Sequence, residues 1–279
     1  MITRTIKYLV FTALVFTITV QAHNIRDYVA LASFRPAQSP AHLKERITFS
    51  VKWSFVPLID TSMETFLVPN QEGGTPMYLL THQASKNSFW NDRMESLIDS
   101  KTLLPRKMET FIKGKGEEGD QKESIVFDRQ AGTASFLKPG KGENTPLEER
   151  ISIGSKSMDP LSAFYYMRKK LSPENPSLHV AGITGPRRFK MQGRLVDKER
   201  IKVPAGTFVA YRLECRLDSW VRPGNGELVT STKKRVKNNP FTLWVTADDN
   251  RFPVQIRYRL PLGSLWVRAI SLKSNDMAT

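Results

Sequence analysis

Glu95 and Asp99 are the closest approach to an acid–base pair in this chain. Four residues apart in a strand, they point to the same face, where one carboxyl could protonate a leaving group while the other works from the opposite side, as in glycosidases. Asp128 is the other carboxylate that hydrolytic chemistry could use. Structural duty competes with that role, since carboxylates on a strand more often face solvent or bind an arginine. Nucleophilic chemistry finds less to work with. No G-x-S-x-G turn occurs, and Cys215 alternates with Tyr211, Leu213 and Leu217 as a packed core residue does. His23, His42, His82 and His179 are far apart and form no metal-ligand spacing with one another or with Cys215. His82 and His179 alone fall where an ordered base is expected. The expectation is a non-enzymatic protein with no catalytic residues, no metal and no cofactor.

The next group that demands a partner is Arg168. Asp159 can cap the first free N–H groups of a helix and Pro160 suits its first position, so residues 159–171 read as the one clear helix. At ~100° per residue, Leu161, Phe164, Tyr165 and Leu171 share one side and Ser162, Tyr166, Lys169 and Lys170 the other. Arg168 lies near the middle of the apolar side. It must snorkel to the edge or meet a carboxylate, and Asp99 is the expected partner, with Glu95 and Asp128 as competitors. Asp99, Asp128, Asp159 and Arg168 are therefore the candidate ligand or structural anchors.

Elsewhere the pattern has period two. Ile47, Phe49, Val51 and Trp53 alternate over residues 45–53. Similar runs occur at 77–83, 94–98, 106–112, 124–127, 133–137, 189–195, 206–217, 241–245, 253–258 and 264–270. Turn signals separate them: Gly73-Gly74, the glycine-rich stretch 113–120, Pro139-Gly140, Pro204-Ala205-Gly206, Pro223-Gly224 and Asp248-Asp249-Asn250. The fold class predicted is mainly β: a large curved antiparallel sheet, a half-barrel or β-spiral, wrapped around one short α-helix. Residues 45–272 read as a single domain and 273–279 as a tail. The weakest internal boundary is 172–186, rich in Pro and Gly.

The N-terminus reads as an export signal. Arg4 and Lys7 precede an apolar run over 8–20, shorter than the ~20 residues a spanning helix needs, and Val20-Gln21-Ala22 offers a cleavage site. Residues 1–22 are expected to be removed, 23–44 to form a flexible lead-in, and the protein to reside in the periplasm with no transmembrane span. With a single cysteine it cannot form an intramolecular disulfide, so its stability must come from its core. The net charge of +15 favours anionic partners. Lys169, Lys170, Arg187, Arg188 and Lys190 are the candidate basic surface; Lys198 to Lys202 and Lys233-Lys234-Arg235 are further clusters. These runs lack the interleaved aromatics of a nucleic-acid surface.

Several segments in order carry a resemblance: residues 45–53; Met94-Glu95-Ser96-Leu97-Ile98-Asp99 leading to Thr102-Leu103-Leu104-Pro105; Val126-Phe127-Asp128; Asp159-Pro160-Leu161-Ser162 through Arg168; Val203-Pro204-Ala205-Gly206-Thr207-Phe208; and Leu243-Trp244-Val245 with Asp248, Arg251 and Phe252-Pro253-Val254. Together they resemble the bacterial envelope family called domain of unknown function 3108, from about residue 45 to 272. The strand-and-turn pattern is also similar to the half-barrels of the lipoprotein carriers LolA and LolB. The first resemblance implies an exported β-rich protein without an assigned activity. The second implies, by analogy of fold, a groove for acyl chains, although one helix is fewer than those carriers use as a lid. The expected function is a non-enzymatic envelope protein that binds a lipid-like or anionic glycan ligand. The alternative is a structural or interaction protein that docks another envelope component, such as an envelope protein, with no small ligand; a hydrolase using Glu95 or Asp128 comes third.

Overall fold

The computed structural model describes residues 42–70, 74–84, 92–112, 121–138, 147–185, 187–221 and 236–275. They form fourteen strands and one α-helix: β1 (His42–Trp53), β2 (Val56–Val68), β3 (Met77–Ala84), β4 (Arg93–Asp99), β5 (Pro105–Ile112), β6 (Gln121–Asp128), β7 (Thr133–Lys138), β8 (Leu147–Ser152), α1 (Pro160–Lys170), β9 (Ser177–Thr184), β10 (Arg187–Val203), β11 (Gly206–Val221), β12 (Val236–Thr246), β13 (Pro253–Leu260) and β14 (Gly263–Ser274). The predicted signal, most of the lead-in, and the turns at Gly73, 113–120, Pro139-Gly140 and Pro223-Gly224 lie outside the described residues, as does Lys233-Lys234-Arg235.

All fourteen strands belong to one open sheet in the order β8-β7-β6-β5-β4-β3-β2-β1-β14-β13-β12-β11-β10-β9. Two antiparallel meanders, β1 to β8 and β9 to β14, are zipped together where β1 pairs with β14, Phe49 opposite Ala269 and Val51 opposite Val267. The chain leaves the sheet at the β8 edge and re-enters at the β9 edge. The helix lies between these two edges in sequence and packs on β9, β4 and β3.

Period-two alternation sends one set of side chains to the helix-bearing face. Ile47, Phe49 and Val51 of β1, Met94 and Ile98 of β4, Leu213 of β11 and Ile256 of β13 are all buried there. Leu161, Phe164 and Met167 of α1 and its C-cap residue Leu171 complete this core, each contributing roughly 1.5–3 kcal/mol by leaving water. Two glycines permit close packing, Gly193 under the helix and Gly182 under the segment that precedes it. A Cβ on Gly182 would sit 2.0 Å from the Met158 carbonyl and 2.5 Å from the Phe189 ring, and one on Gly193 2.1 Å from Met167 Cε. Cys215, 3 % exposed, is part of this packing.

The free edges are managed differently. Met158 N–H donates to Ala181 O and Ile183 N–H to Met158 O, so the segment before α1 covers part of β9. Exposed Glu148, Glu149 and Arg150 put charge along β8, which discourages pairing with another chain.

Three strands run where the sequence shows no strand signal. β2 turns Thr61 and Thr65 inward in alternation with Ile59 and Met63, so its apolar alternation is broken. β8 is a charged edge strand, and β9 occupies the Pro- and Gly-rich stretch read as a boundary. Ser162 corrects the helix-face assignment: it is fully buried, because its hydroxyl belongs to the cap described next. The sheet begins at His42, three residues before Glu45, and β14 extends to Ser274.

Candidate functional site: a lysine-rimmed cleft beside the helix end

The site is built on α1, and α1 is fixed at both ends. Ser162 N–H donates to Asp159 Oδ1 at 2.9 Å while Asp159 N–H donates to Ser162 Oγ at 3.1 Å, a reciprocal capping box. Ser96 Oγ, from β4, donates to Asp159 Oδ2 at 2.6 Å, which locks the helix start to the sheet. Burial raises the pKa of Asp159, against the opposing pull of the Ser96 and Ser162 hydrogen bonds. Asp159 is thus a buried structural anchor. At the other end Arg168, Lys169 and Lys170 occupy the last turn, where cations complement the helix dipole.

Arg168 is 1 % exposed, and its Nη2 donates to Glu45 Oε1. Thr65 Oγ1 donates to the same carboxylate oxygen at 2.9 Å. The guanidinium carbon lies 4.4 Å from the centroid of the Tyr165 ring; Tyr165 in turn meets Tyr78 at 6.0 Å. Burial pushes the Tyr165 hydroxyl up to about 12, with the Arg168 charge pulling the other way.

This corrects the predicted partnership. Asp99 lies on the outer face of β4 with Glu95, away from the helix, and its Oδ1 accepts from Thr102 N–H at 2.8 Å, Thr102 Oγ1 at 2.9 Å and Lys101 N–H at 3.1 Å. Burial favours a higher pKa for Asp99, but these bonds outweigh it and hold the carboxyl below its ordinary value. Asp128 caps its own turn in the same way, accepting from Gln130 and Ala131 N–H groups at 3.0 and 2.9 Å. Glu95 is ion-paired with Arg93 and stands opposite Glu109 across the strands; burial raises its pKa. The signal that identifies Glu45 is in the sequence: it shares strand parity with Ile47, Phe49 and Val51, so it must face inward.

Above the Arg168–Glu45 pair opens a cleft of about 260 Å³. Tyr78, Tyr165 and Glu45 contribute to its lining, together with Lys44, Lys101, Lys169 and Lys170. Lys44 comes from β1, Lys101 from the turn that Asp99 holds, and the other two from the end of α1. Lys169 Nζ also donates to Asn250 O at 2.9 Å, which ties the helix end to the β12–β13 turn. Four cations over two phenols and a buried ion pair suit a small anionic group. The void on the inner flank, beside Leu161 and Arg168, is only about 10 Å³, which leaves no room there for an acyl chain.

The remaining basic candidates do not join this cleft. Arg188 Nη2 donates to Ser152 O at 2.5 Å, linking β10 to the end of β8. Arg187 precedes it in β10, where burial lowers its pKa, and Lys190 projects from the exposed outer face of β10. His82 faces the core between Met63 and Met94, and burial lowers its pKa to about 4. His179 lines a separate outer groove with Gln192 and Arg194.

The family model described as Protein of unknown function (DUF3108) matches residues 48–269. The chain belongs to this family. The match runs from β1 to β14 and includes α1 with its Asp159 cap and Arg168. Glu45 and Lys44 precede the matched residues. No curated protein matches this DUF3108 chain. Among solved structures it is similar to a β-barrel-like protein of domain of unknown function DUF1849 from Brucella abortus, at 6% identity and TM-score 0.49 over 84% of this chain and 99% of that one. It is also similar to a candidate lipoprotein from Parabacteroides distasonis, at 10% identity and TM-score 0.36 over 84% and 97%. A candidate exported protein with a YmcC-like fold from Bacteroides fragilis matches at 8% identity and TM-score 0.32 over 85% and 98%.

Proposed function

We propose that this DUF3108 protein is a non-enzymatic component of the bacterial envelope, exported to the periplasm by its N-terminal signal, that binds the anionic group of an envelope lipid or glycan in the lysine-rimmed cleft. The observation that carries this reading is the convergence of Lys44, Lys101, Lys169 and Lys170, from three separate parts of the chain, on one cleft. The buried Glu45–Arg168 pair and the Asp159 cap fix the position of the helix end that presents two of them. A non-enzymatic role fits the carboxylates too: Asp99 and Asp128 spend an oxygen on their own turns, and Glu95 is paired with Arg93. With little space on the inner flank of α1, the cleft suits a head group or a charged sugar better than an enclosed acyl chain.

Calorimetric titration tests this with two soluble probes, a short-chain phosphatidylglycerol below its micellar concentration and a phosphorylated monosaccharide. The account expects saturable binding of at least one, identifying lipid or glycan as the source. That binding should weaken with salt and fall at least tenfold in Lys101→Glu/Lys170→Glu. Absence of saturable binding by both, or equal binding by the variant, overturns the proposal.

A further inference from the structure

The most exposed large apolar side chains among the described residues are Phe55, at 86 %, and Leu262, at 79 %. They lie in different turns, β1–β2 and β13–β14, which the β1–β14 pairing brings side by side. Trp53 Nε1 donates to Leu262 O at 2.9 Å, and Ser54 N–H donates to Ser264 O at 2.7 Å. Contact between the turns is close enough that a Cβ on Gly263, whose φ is +101°, would lie 2.4 Å from Ser54 Oγ. Val56, 45 % exposed, extends the same surface. Two apolar tips are thus fastened into one projecting patch.

The surroundings of this patch are cationic and aromatic. On the outer face Lys52, Trp266 and Arg257 are directly opposite one another across β1, β14 and β13, and Arg259 stands opposite Ser264, nearer the tip. Arg257 lies 4.8 Å from the centroid of a Trp266 ring. Apolar side chains stand at the extremity, and cations and an indole ring stand together just behind them, which is the chemistry met on entering an anionic bilayer: hydrocarbon, then the interface with its head groups. Charge complementarity favours this occupant, since the chain carries a net +15.

We propose that the paired β1–β2 and β13–β14 turns insert Phe55 and Leu262 into the surface of an anionic phospholipid bilayer, with Lys52, Arg257 and Arg259 meeting the head groups. This contact does not rest on the cleft. Lys44 is nine residues from Trp53 along β1, which places the cleft roughly 30 Å from the tips at ~3.3 Å per residue. A molecule docked by its tips therefore holds the cleft away from that membrane.

Sedimentation with vesicles tests the proposal, using protein purified from the envelope and vesicles of phosphatidylglycerol mixed with phosphatidylcholine, or of phosphatidylcholine alone. The wild type should partition to the mixed vesicles at least tenfold more strongly than Phe55→Ser/Leu262→Ser. Its tryptophan fluorescence should be quenched by lipids brominated on the acyl chain, and Lys52→Glu/Arg259→Glu should lose the preference for phosphatidylglycerol. Unchanged circular dichroism ensures that the variants are folded. Equal partition of wild type and tip variant overturns the proposal. Failure of the wild type to sediment with the mixed vesicles does so as well, whether or not another envelope protein docks at the tips.

Discussion

A guanidinium keeps its charge at any pH a folded protein survives, so Arg168 cannot relieve its burial by losing a proton. Glu45 supplies the counter-charge, Thr65 adds a hydrogen bond to that carboxylate, and the Tyr165 ring offers its face to the cation. Such a pair need not add net stability, but removing one partner strands the other. Glu45→Leu should therefore destabilise the protein by about 3–5 kcal/mol, and Glu45→Leu/Arg168→Met should recover most of that loss, read as urea-unfolding midpoints. A double variant no more stable than Glu45→Leu would mean that the two groups are not energetically coupled. Arg168 was legible as a residue needing a carboxylate because it interrupts an apolar helix face. Its inward parity marks Glu45 as a candidate, but the pairing itself was not legible, because Glu45 is 123 residues away and meets the helix only through the β1–β2–β3–β4 ladder, where Glu45 stands opposite Thr65, Thr65 opposite Leu80 and Leu80 opposite Ser96.

The elements were legible to the extent that each carries its own signal. Asp159, Pro160 and the apolar spacing after them mark α1, and strict alternation marks β1, β11 and β13. β2 hides its alternation behind inward threonines, while β8 and β9 are edge strands whose place is set by their neighbours and, for β9, by the segment covering it. The fit of α1 and of the segment before it to the sheet depends on two glycines that local pattern reading passes over. Gly182 faces a backbone carbonyl and an aromatic ring, neither of which can retreat cheaply, whereas Gly193 faces the mobile end of Met167. Gly182→Ala should therefore cost about 1–3 kcal/mol and clearly more than Gly193→Ala by thermal unfolding. The reverse order would show that the segment before α1 is not seated as closely on β9 as described.

As a whole the molecule is an open sheet that presents distinct chemistry at its two ends: lysines around the cleft, and apolar tips beside cations and indoles at the far end of β1. The basic composition pointed to anionic partners, but it could not show where the charge gathers. Lys44, Lys101 and Lys170 meet only because β1, the β4–β5 turn and the end of α1 meet, while Arg187, Arg188 and Lys190 go elsewhere. Native mass spectrometry of protein purified from the envelope tests the central claim most directly. The account predicts an anionic lipid or glycan retained by the wild type and absent from Lys101→Glu/Lys170→Glu. Repeated spectra of the wild type without adduct, or the same adduct on both proteins, would contradict it.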